Sequence, residues 1–136
     1  MKVKLFLIST LLLLASTAAC AAQKDEVDVS NFRTAHDSNG ENVTTTFSQS
    51  DVIYAVIDLA RAPRNTKLEV KWITVDAEGT EPNHEFDSQT INITNELFTG
   101  TTYFQLSNAA PWPVGKYRVD LYVNDSSVES VEFSIQ

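Results

Sequence analysis

The sequence predicts an all-β domain, and three observations lead to this prediction. From Ser30 onward, β-branched and aromatic residues alternate with polar ones, as in strands with one buried face. Turn-forming residues interrupt the alternation at short intervals. No stretch after residue 29 carries the apolar stripe of an amphipathic helix. Many short strands at this spacing are typical of a β-sandwich or a β-barrel.

Eight segments carry the strand pattern, and together they form one predicted domain over residues 30–136. Glycine, proline and asparagine separate them, as at Asn39-Gly40 and Asn124-Asp125. We expect the strands at 30–36, 42–49, 51–59, 66–75, 88–94, 101–107, 115–123 and 128–135.

The last two strands constrain the turn between them. Apolar residues occupy odd positions in 117–123 and again in 131–135. Directly paired residues of an antiparallel ladder share a face, so their numbers must sum to an even value. A two-residue turn at Asn124-Asp125 would pair Val123 with Ser126 and turn the last apolar set outward. We therefore predict a three- or five-residue loop, or a bulge, instead of a tight two-residue hairpin.

A family resemblance rests on residues near the centre and the end of the chain. The segment Gly115-x-Tyr117-x-Val119 resembles the Gly-x-Tyr-x-Cys segment of immunoglobulin-like domains, in which the tyrosine forms a corner. Trp72 resembles the core tryptophan of strand C, and segment 51–59 would be strand B. Val119 replaces the second cysteine, so the inter-sheet disulfide is absent. Many bacterial immunoglobulin-like domains share this lack. The resemblance implies an immunoglobulin-like antiparallel β-sandwich of seven or eight strands.

The first twenty residues predict an export signal. Lys2 and Lys4 precede an apolar run over residues 5–15, and small residues follow it up to Cys20. The apolar run is too short to span a membrane comfortably. We assign residues 1–19 to a signal peptide.

Three fates of this segment stay open: lipidation at Cys20, plain secretion, and an uncleaved anchor. Thr17-Ala18-Ala19-Cys20 resembles the lipobox of bacterial lipoproteins, whereas Ala19-Cys20-Ala21 fits an ordinary cleavage site. Cys20 is the only cysteine, so it cannot form an internal disulfide. If the lipoprotein resemblance holds, Ala21 implies sorting to the outer membrane, with residues 20–29 as a tether.

The charge of the chain limits its partners. The formal net charge is −8, and removal of the signal with its two lysines makes it more negative. Such a domain repels phosphate backbones, so we expect no nucleic-acid partner. We expect a protein partner in the envelope, with the periplasm or the outer membrane as the location.

Residues that could carry chemistry are few. His36 and His84 lie outside any metal-ligand spacing. Residues 81–87 gather acids around His84, which fits either a weak divalent-ion site or, as we favour, a solvated loop. Residues 36–41 faintly resemble a calcium loop, but a turn explains them sufficiently. We assign no catalytic residue, metal ligand or cofactor.

The candidate contact surface consists of Trp112, Tyr122 and Arg118. Prolines on both sides of Trp112 stiffen the backbone, so the indole could be displayed, or it could plug the end of the sandwich. Tyr122 lies opposite the predicted core face, beside Arg118 and Asp120.

These observations predict a non-catalytic interaction module of the cell envelope that binds another protein through a sheet face or an exposed edge strand. Two alternatives stay open. The first is a small-ligand or carbohydrate-binding sandwich with Trp112 and Tyr122 as stacking platforms. The second is a hydrolase that uses acidic residues.

Overall fold

The computed structural model describes residues 27–136, and in this range the chain folds into two facing β-sheets without any helix. The all-β prediction with eight strands is therefore confirmed. The predicted signal peptide, Cys20 and most of the predicted tether lie outside the described residues. The strands are β1 (Asp28–Ala35), β2 (Thr46–Phe47), β3 (Ile53–Pro63), β4 (Lys67–Ala77), β5 (His84–Asn92), β6 (Leu97–Leu106), β7 (Gly115–Val123) and β8 (Ser126–Ile135).

The strands divide unequally between the two sheets. One sheet has the order β1-β3-β6, and the other has the order β2-β8-β7-β4-β5. All neighbours are antiparallel except β2, which runs parallel to β8. No helix within residues 27–136 has the length and apolarity needed to cross a membrane.

Most strand boundaries differ from the sequence prediction by a few residues, and three differences affect the predicted elements most. β1 begins at Asp28, which pairs with Ala60, so the last two residues of the predicted tether belong to the sheet. β5 begins at His84, so residues 84–87 form part of a strand and the predicted solvated loop is shorter. β2 contains only two residues, and the rest of segment 42–49 is irregular apart from one bridge between Val43 and Ala35.

The core lies between the sheets and is built from alternate residues of the central strands. Trp72 and Val119 are fully buried, and Tyr117 and Phe133 are nearly so. The rings of Tyr117 and Phe133 stack with centroids 5.4 Å apart, and Trp72 meets Phe133 edge-on at 6.1 Å. The predicted inward face of β7 is confirmed by this packing.

The hairpin between β7 and β8 combines a tight turn with a bulge. Val123 pairs directly with Ser126, and both turn residues have positive φ, 48° at Asn124 and 69° at Asp125. Such a two-residue turn matches the twist of the strands. The exclusion of a tight turn was therefore wrong, but the bulge alternative is confirmed. The bulge falls at Val128, which lies between paired residues 127 and 129. Beyond it, the numbers of directly paired residues again sum to even values, so the last apolar set of β8 faces the core.

Candidate functional site

Two of the three residues of the predicted contact surface, Arg118 and Tyr122, lie on the outer face of the five-stranded sheet, where their charged neighbours already contact them. Arg118 donates two hydrogen bonds to the carboxylate of Asp120, from Nε at 2.8 Å and from Nη2 at 3.2 Å. The hydroxyl of Ser130 donates to the same carboxylate at 2.7 Å. The hydrogen bonds to Asp120 raise the already high pKa of Arg118 further. A partner at this face would compete with an existing ion pair.

Tyr122 lies on the same face and is half-buried. The ammonium group of Lys71 on β4 lies 4.7 Å from the centre of its ring. This cation–π contact covers one ring face with a charged group. The ring is therefore less available for stacking than the strand alternation suggested.

Trp112 is buried, which corrects the hypothesis of a displayed indole. Its Nε1 donates a hydrogen bond to the backbone carbonyl of Asp51 at 3.0 Å. Its backbone N–H donates to the carbonyl of Gln49 at 2.8 Å, and the Gln49 amide returns a bond to the Trp112 carbonyl at 2.9 Å. Trp112 therefore closes one end of the sandwich, and its buried Nε1 group has a hydrogen-bond acceptor there. It cannot form a joint stacking platform with Tyr122.

Tyr117 fixes the chain that leads into β7. Its hydroxyl donates a hydrogen bond of 2.6 Å to the backbone carbonyl of Pro113, four residues earlier. Burial raises the pKa of Tyr117, because the phenolate would lose its solvation in this place. The bond holds the segment that carries Trp112 against the end of the sandwich.

A small cleft opens beside this aromatic plug, and we call it the end cleft. Its volume is about 170 Å³. Phe86 forms one wall, with ring centroids 6.2 Å from Trp112 and 6.0 Å from Tyr117. The end cleft is lined by Thr74, Thr80, His84, Phe86, Asn108, Trp112, Pro113 and Tyr117.

A β-bulge aims Phe86 at the end cleft. Asp87 pairs with Trp72 and Glu85 pairs with Ile73, so Phe86 is the extra residue between them. Bulges re-aim a side chain and are frequent beside functional sites. Without the extra residue, the alternation of β5 would not place a phenyl ring beside the sandwich end.

The acidic segments noted in the sequence form no cation site in the part of the chain that the structure describes. No three His, Cys, Asp or Glu side chains of residues 27–136 lie close enough together to hold a metal ion. In the loop after β1, the Asp37 carboxylate instead accepts the backbone N–H groups of Glu41 and Asn42, at 3.1 and 2.9 Å. The Arg33 side chain donates to the Gly40 carbonyl at 3.0 Å, so the positively charged guanidinium group of the protein itself lies in this loop.

The second candidate surface is the free edge of β6, which we call the β6 edge. Residues 97–106 contain no charged residue and no proline. Leu97 and Tyr103 are 63% and 45% exposed. Natural proteins commonly protect edge strands with charges, prolines or bulges, because free N–H and C=O groups can pair with another chain. β1 and β5, the other long edges, each carry charged side chains.

Hydrogen bonds on the outer face hold β6 to its sheet. Asp58 on β3 accepts from the Thr101 hydroxyl at 2.8 Å, from the Asn31 amide at 3.0 Å and from Arg33 at 3.3 Å. These bonds, chiefly the one from Thr101, lower the pKa of Asp58. On the side that faces β3, β6 is therefore paired along its length, while its backbone on the other side has no neighbouring strand.

Sequence reasoning overlooked both the β6 edge and the end cleft. It took residues 101–105 as an ordinary strand, although the lack of charge over ten residues was visible. It placed Phe86 in a solvated loop. Only the bulge in β5 brings that ring to Trp112, and a bulge leaves no clear mark in the sequence.

The sequence matches no protein-family model and no curated protein. Solved structures resemble the fold at 13% sequence identity. They include a mutant β-glucosidase from Listeria innocua in complex with laminaribiose, with a TM-score of 0.52, and the β-glucosidase from the same organism in complex with glucose, with a TM-score of 0.50. The matches cover 82% and 81% of this chain but only 16% of each β-glucosidase chain.

The alkylpurine DNA glycosylase AlkC of Pseudomonas fluorescens, bound to DNA with an abasic site analog, is similar over 82% of this chain and 30% of its own. Its TM-score is 0.49 and its identity 13%. This chain thus spans less than a third of the length of the structures it resembles. The β-glucosidase likeness shows the fold alone.

Proposed function

We propose that this chain is a non-catalytic, immunoglobulin-like interaction module, exported to a bacterial envelope, that binds another protein through strand pairing at the β6 edge. The carrying observation is the ten-residue edge strand without charge or proline. Extended peptides add to such edges through main-chain hydrogen bonds, and side-chain contacts supply specificity.

The order of the strands supports the immunoglobulin-like part of the proposal. The first, third and sixth strands share one sheet, as strands A, B and E do. The fourth, seventh and eighth share the other, as C, F and G do, and β5 takes the place of C′ beside β4. The Tyr117–Pro113 bond has the form of a tyrosine corner, and Trp72 lies buried on the strand equivalent to C.

Two features favour the β6 edge over the outer face of the larger sheet. Arg118 and Tyr122 already contact Asp120 and Lys71, so a partner there must displace existing contacts. At the β6 edge, strand addition uses backbone groups that have no neighbouring strand. The exposed ring of Tyr103 adds apolar area that a partner would cover.

Site-specific photo-crosslinking in intact cells tests the docking surface. Two matched variants carry benzoylphenylalanine, one in place of Tyr103 and one in place of Tyr122. We expect a discrete cross-linked protein product from position 103 and none from position 122. A product from position 122 alone would move the interface to the larger sheet, and absence of a product from both positions would contradict protein binding. Equal thermal melting of the two variants controls for folding.

Mass spectrometry of membrane-extracted chain tests the envelope part independently. A lipoprotein begins at Cys20 and carries the mass of its acyl chains. A mature chain that begins after Cys20 and has no lipid would refute the tether but would leave the β6 interface standing.

A further inference from the structure

We infer that the end cleft is a binding site for a single aromatic ring that carries at most one or two polar groups. The inference goes beyond the proposed function, because the end cleft is formed by β4, β5 and the segment before β7, and does not use the β6 edge. Its volume, about 170 Å³, suits one six-membered ring, since a cavity of about 150 Å³ holds benzene.

The walls of the end cleft are aromatic. Phe86, Trp112 and Tyr117 contribute three rings, and the Phe86 ring meets Tyr117 edge-to-face and Trp112 at a tilt. A fourth ring would extend this cluster, because aromatic pairs prefer such offset and edge-on arrangements over full face-to-face stacking. Phe86 is only partly buried, so part of its ring remains for a ligand to cover.

The indole N–H and the hydroxyl groups of the walls are engaged within the protein. The Trp112 indole N–H donates to Asp51, and the Tyr117 hydroxyl donates to Pro113. The Thr80 hydroxyl donates to the carbonyl of Ala77 at 2.8 Å.

The remaining wall hydroxyl follows the same pattern. The Thr74 Oγ1 atom lies 3.2 Å from the carbonyl oxygens of both Glu81 and His84, so its proton is also used. A sugar would bring many hydroxyl groups against walls whose hydroxyl and indole donors are already used and which offer only His84 and Asn108, and this costs binding free energy. A ring with few polar atoms avoids this cost.

Two side chains could select among rings. His84 and Asn108 also line the end cleft, and their side chains form no hydrogen bond with the described residues. A hydroxyl or carbonyl on the ring could bind either of them. A phenol is therefore preferred over an unsubstituted ring.

Titration of the full chain with p-cresol, followed by NMR of the two indole N–H groups, tests this site. We expect a saturable shift of the Trp112 signal and none of the Trp72 signal, which is fully buried in the core and serves as an internal control. Glucose should shift neither signal. A Trp112 shift that glucose produces equally, or that never saturates with p-cresol, would overturn the inference.

Two matched variants separate binding from folding. Phe86→Ala removes a wall of the end cleft and should weaken p-cresol binding about tenfold, the loss of one aromatic contact. Phe98→Ala removes an equally half-buried ring far from the end cleft and should leave binding unchanged. Unchanged binding in Phe86→Ala, with the fold intact by circular dichroism, would refute the site. If that variant unfolds, Asn108→Phe on the exposed loop should block binding, and undiminished binding would refute it.

A second ligand distinguishes the source of the ring. N-acetyltyrosine amide carries the same phenol on a peptide backbone. Saturable binding of both ligands indicates a docked side chain of a partner protein, and binding of p-cresol alone indicates a free small molecule. Both results support the site.

Discussion

The two lateral sides of the sandwich are built differently. On one side, the segment before β3 bridges the sheets. The backbone N–H of Thr44 donates to the carbonyl of Thr34 on β1 at 3.1 Å, and the carbonyl of Thr45 accepts the N–H of Ser134 on β8 at 2.8 Å. On the other side, β5 and β6 are joined by a side chain, the Gln89 amide donating to the Gln105 carbonyl at 2.8 Å. The closed side is thus held by backbone hydrogen bonds, while on the open side the backbone of β6 has no neighbouring strand.

The largest expected difference between the sides concerns two phenylalanines. Phe47 on the closed side is buried and meets Phe133 edge-on at 5.7 Å, whereas Phe98 on the open side is half-buried. We expect Phe47→Ala to lower the free energy of unfolding by about 3–5 kcal/mol and Phe98→Ala by about 1–2 kcal/mol. Urea denaturation of both variants measures the difference. Equal losses would show that the closed side contributes no extra stability.

A smaller effect is expected at the end of the sandwich, where both sides meet. Tyr117→Phe keeps the ring but leaves the partly buried Pro113 carbonyl without its donor, and should cost about 1–2 kcal/mol. Burial raises the pKa of Tyr117 above the unfolded value near 10. The Tyr117 hydroxyl therefore stays protonated up to a higher pH in the folded state than in the unfolded state.

The pH dependence of this effect follows from that shift. The contribution of Tyr117 is complete below the unfolded pKa and is lost as pH rises through the folded pKa. The stability difference between the wild-type chain and Tyr117→Phe should accordingly shrink above about pH 10. Urea titrations at about pH 8 and pH 11 measure it, and a constant difference would contradict the burial argument.

The smallest effect is expected at Val128 on β8, which lies at the closed side of the sandwich. Its deletion should convert the bulged hairpin into a regular one, because all the other pairs of β7 and β8 keep their partners. Phe133 would still pair with Tyr117 and face the core. We expect a folded chain whose stability changes by about 1 kcal/mol or less. Loss of the cooperative urea transition would show that the bulge itself is needed, and Val128→Ala controls for its side chain.

Much of the fold was predictable because hydrophobic alternation determines which face of a strand is buried. The inward residues of β7 followed from the alternation, and the odd positions of the apolar residues in both strands predicted a longer loop or a bulge, of which the hairpin has the bulge. The tight turn was excluded wrongly, because a bulge and a two-residue turn can coexist. The start of β5 at His84 was missed, because the acids around it have low strand propensity and tertiary packing overrides such preferences.

The candidate sites were harder to predict because they depend on contacts between distant segments. The burial of Trp112 requires the carbonyl of Asp51 as its partner, about sixty residues earlier. The pairing of Tyr122 with Lys71 requires the register of two strands. Neither is encoded in the local pattern that placed these side chains on their strands.

The acidity of the chain acquires a further role once the β6 edge is considered. Two copies could pair through their uncharged edges, but each carries a net charge of −8 and repels the other. Salt shortens the range of this repulsion to about 10 Å at 0.1 M and about 3 Å at 1 M. High salt therefore weakens the charge repulsion that keeps copies of the purified protein apart, and a buffer of low ionic strength keeps the protein monodisperse.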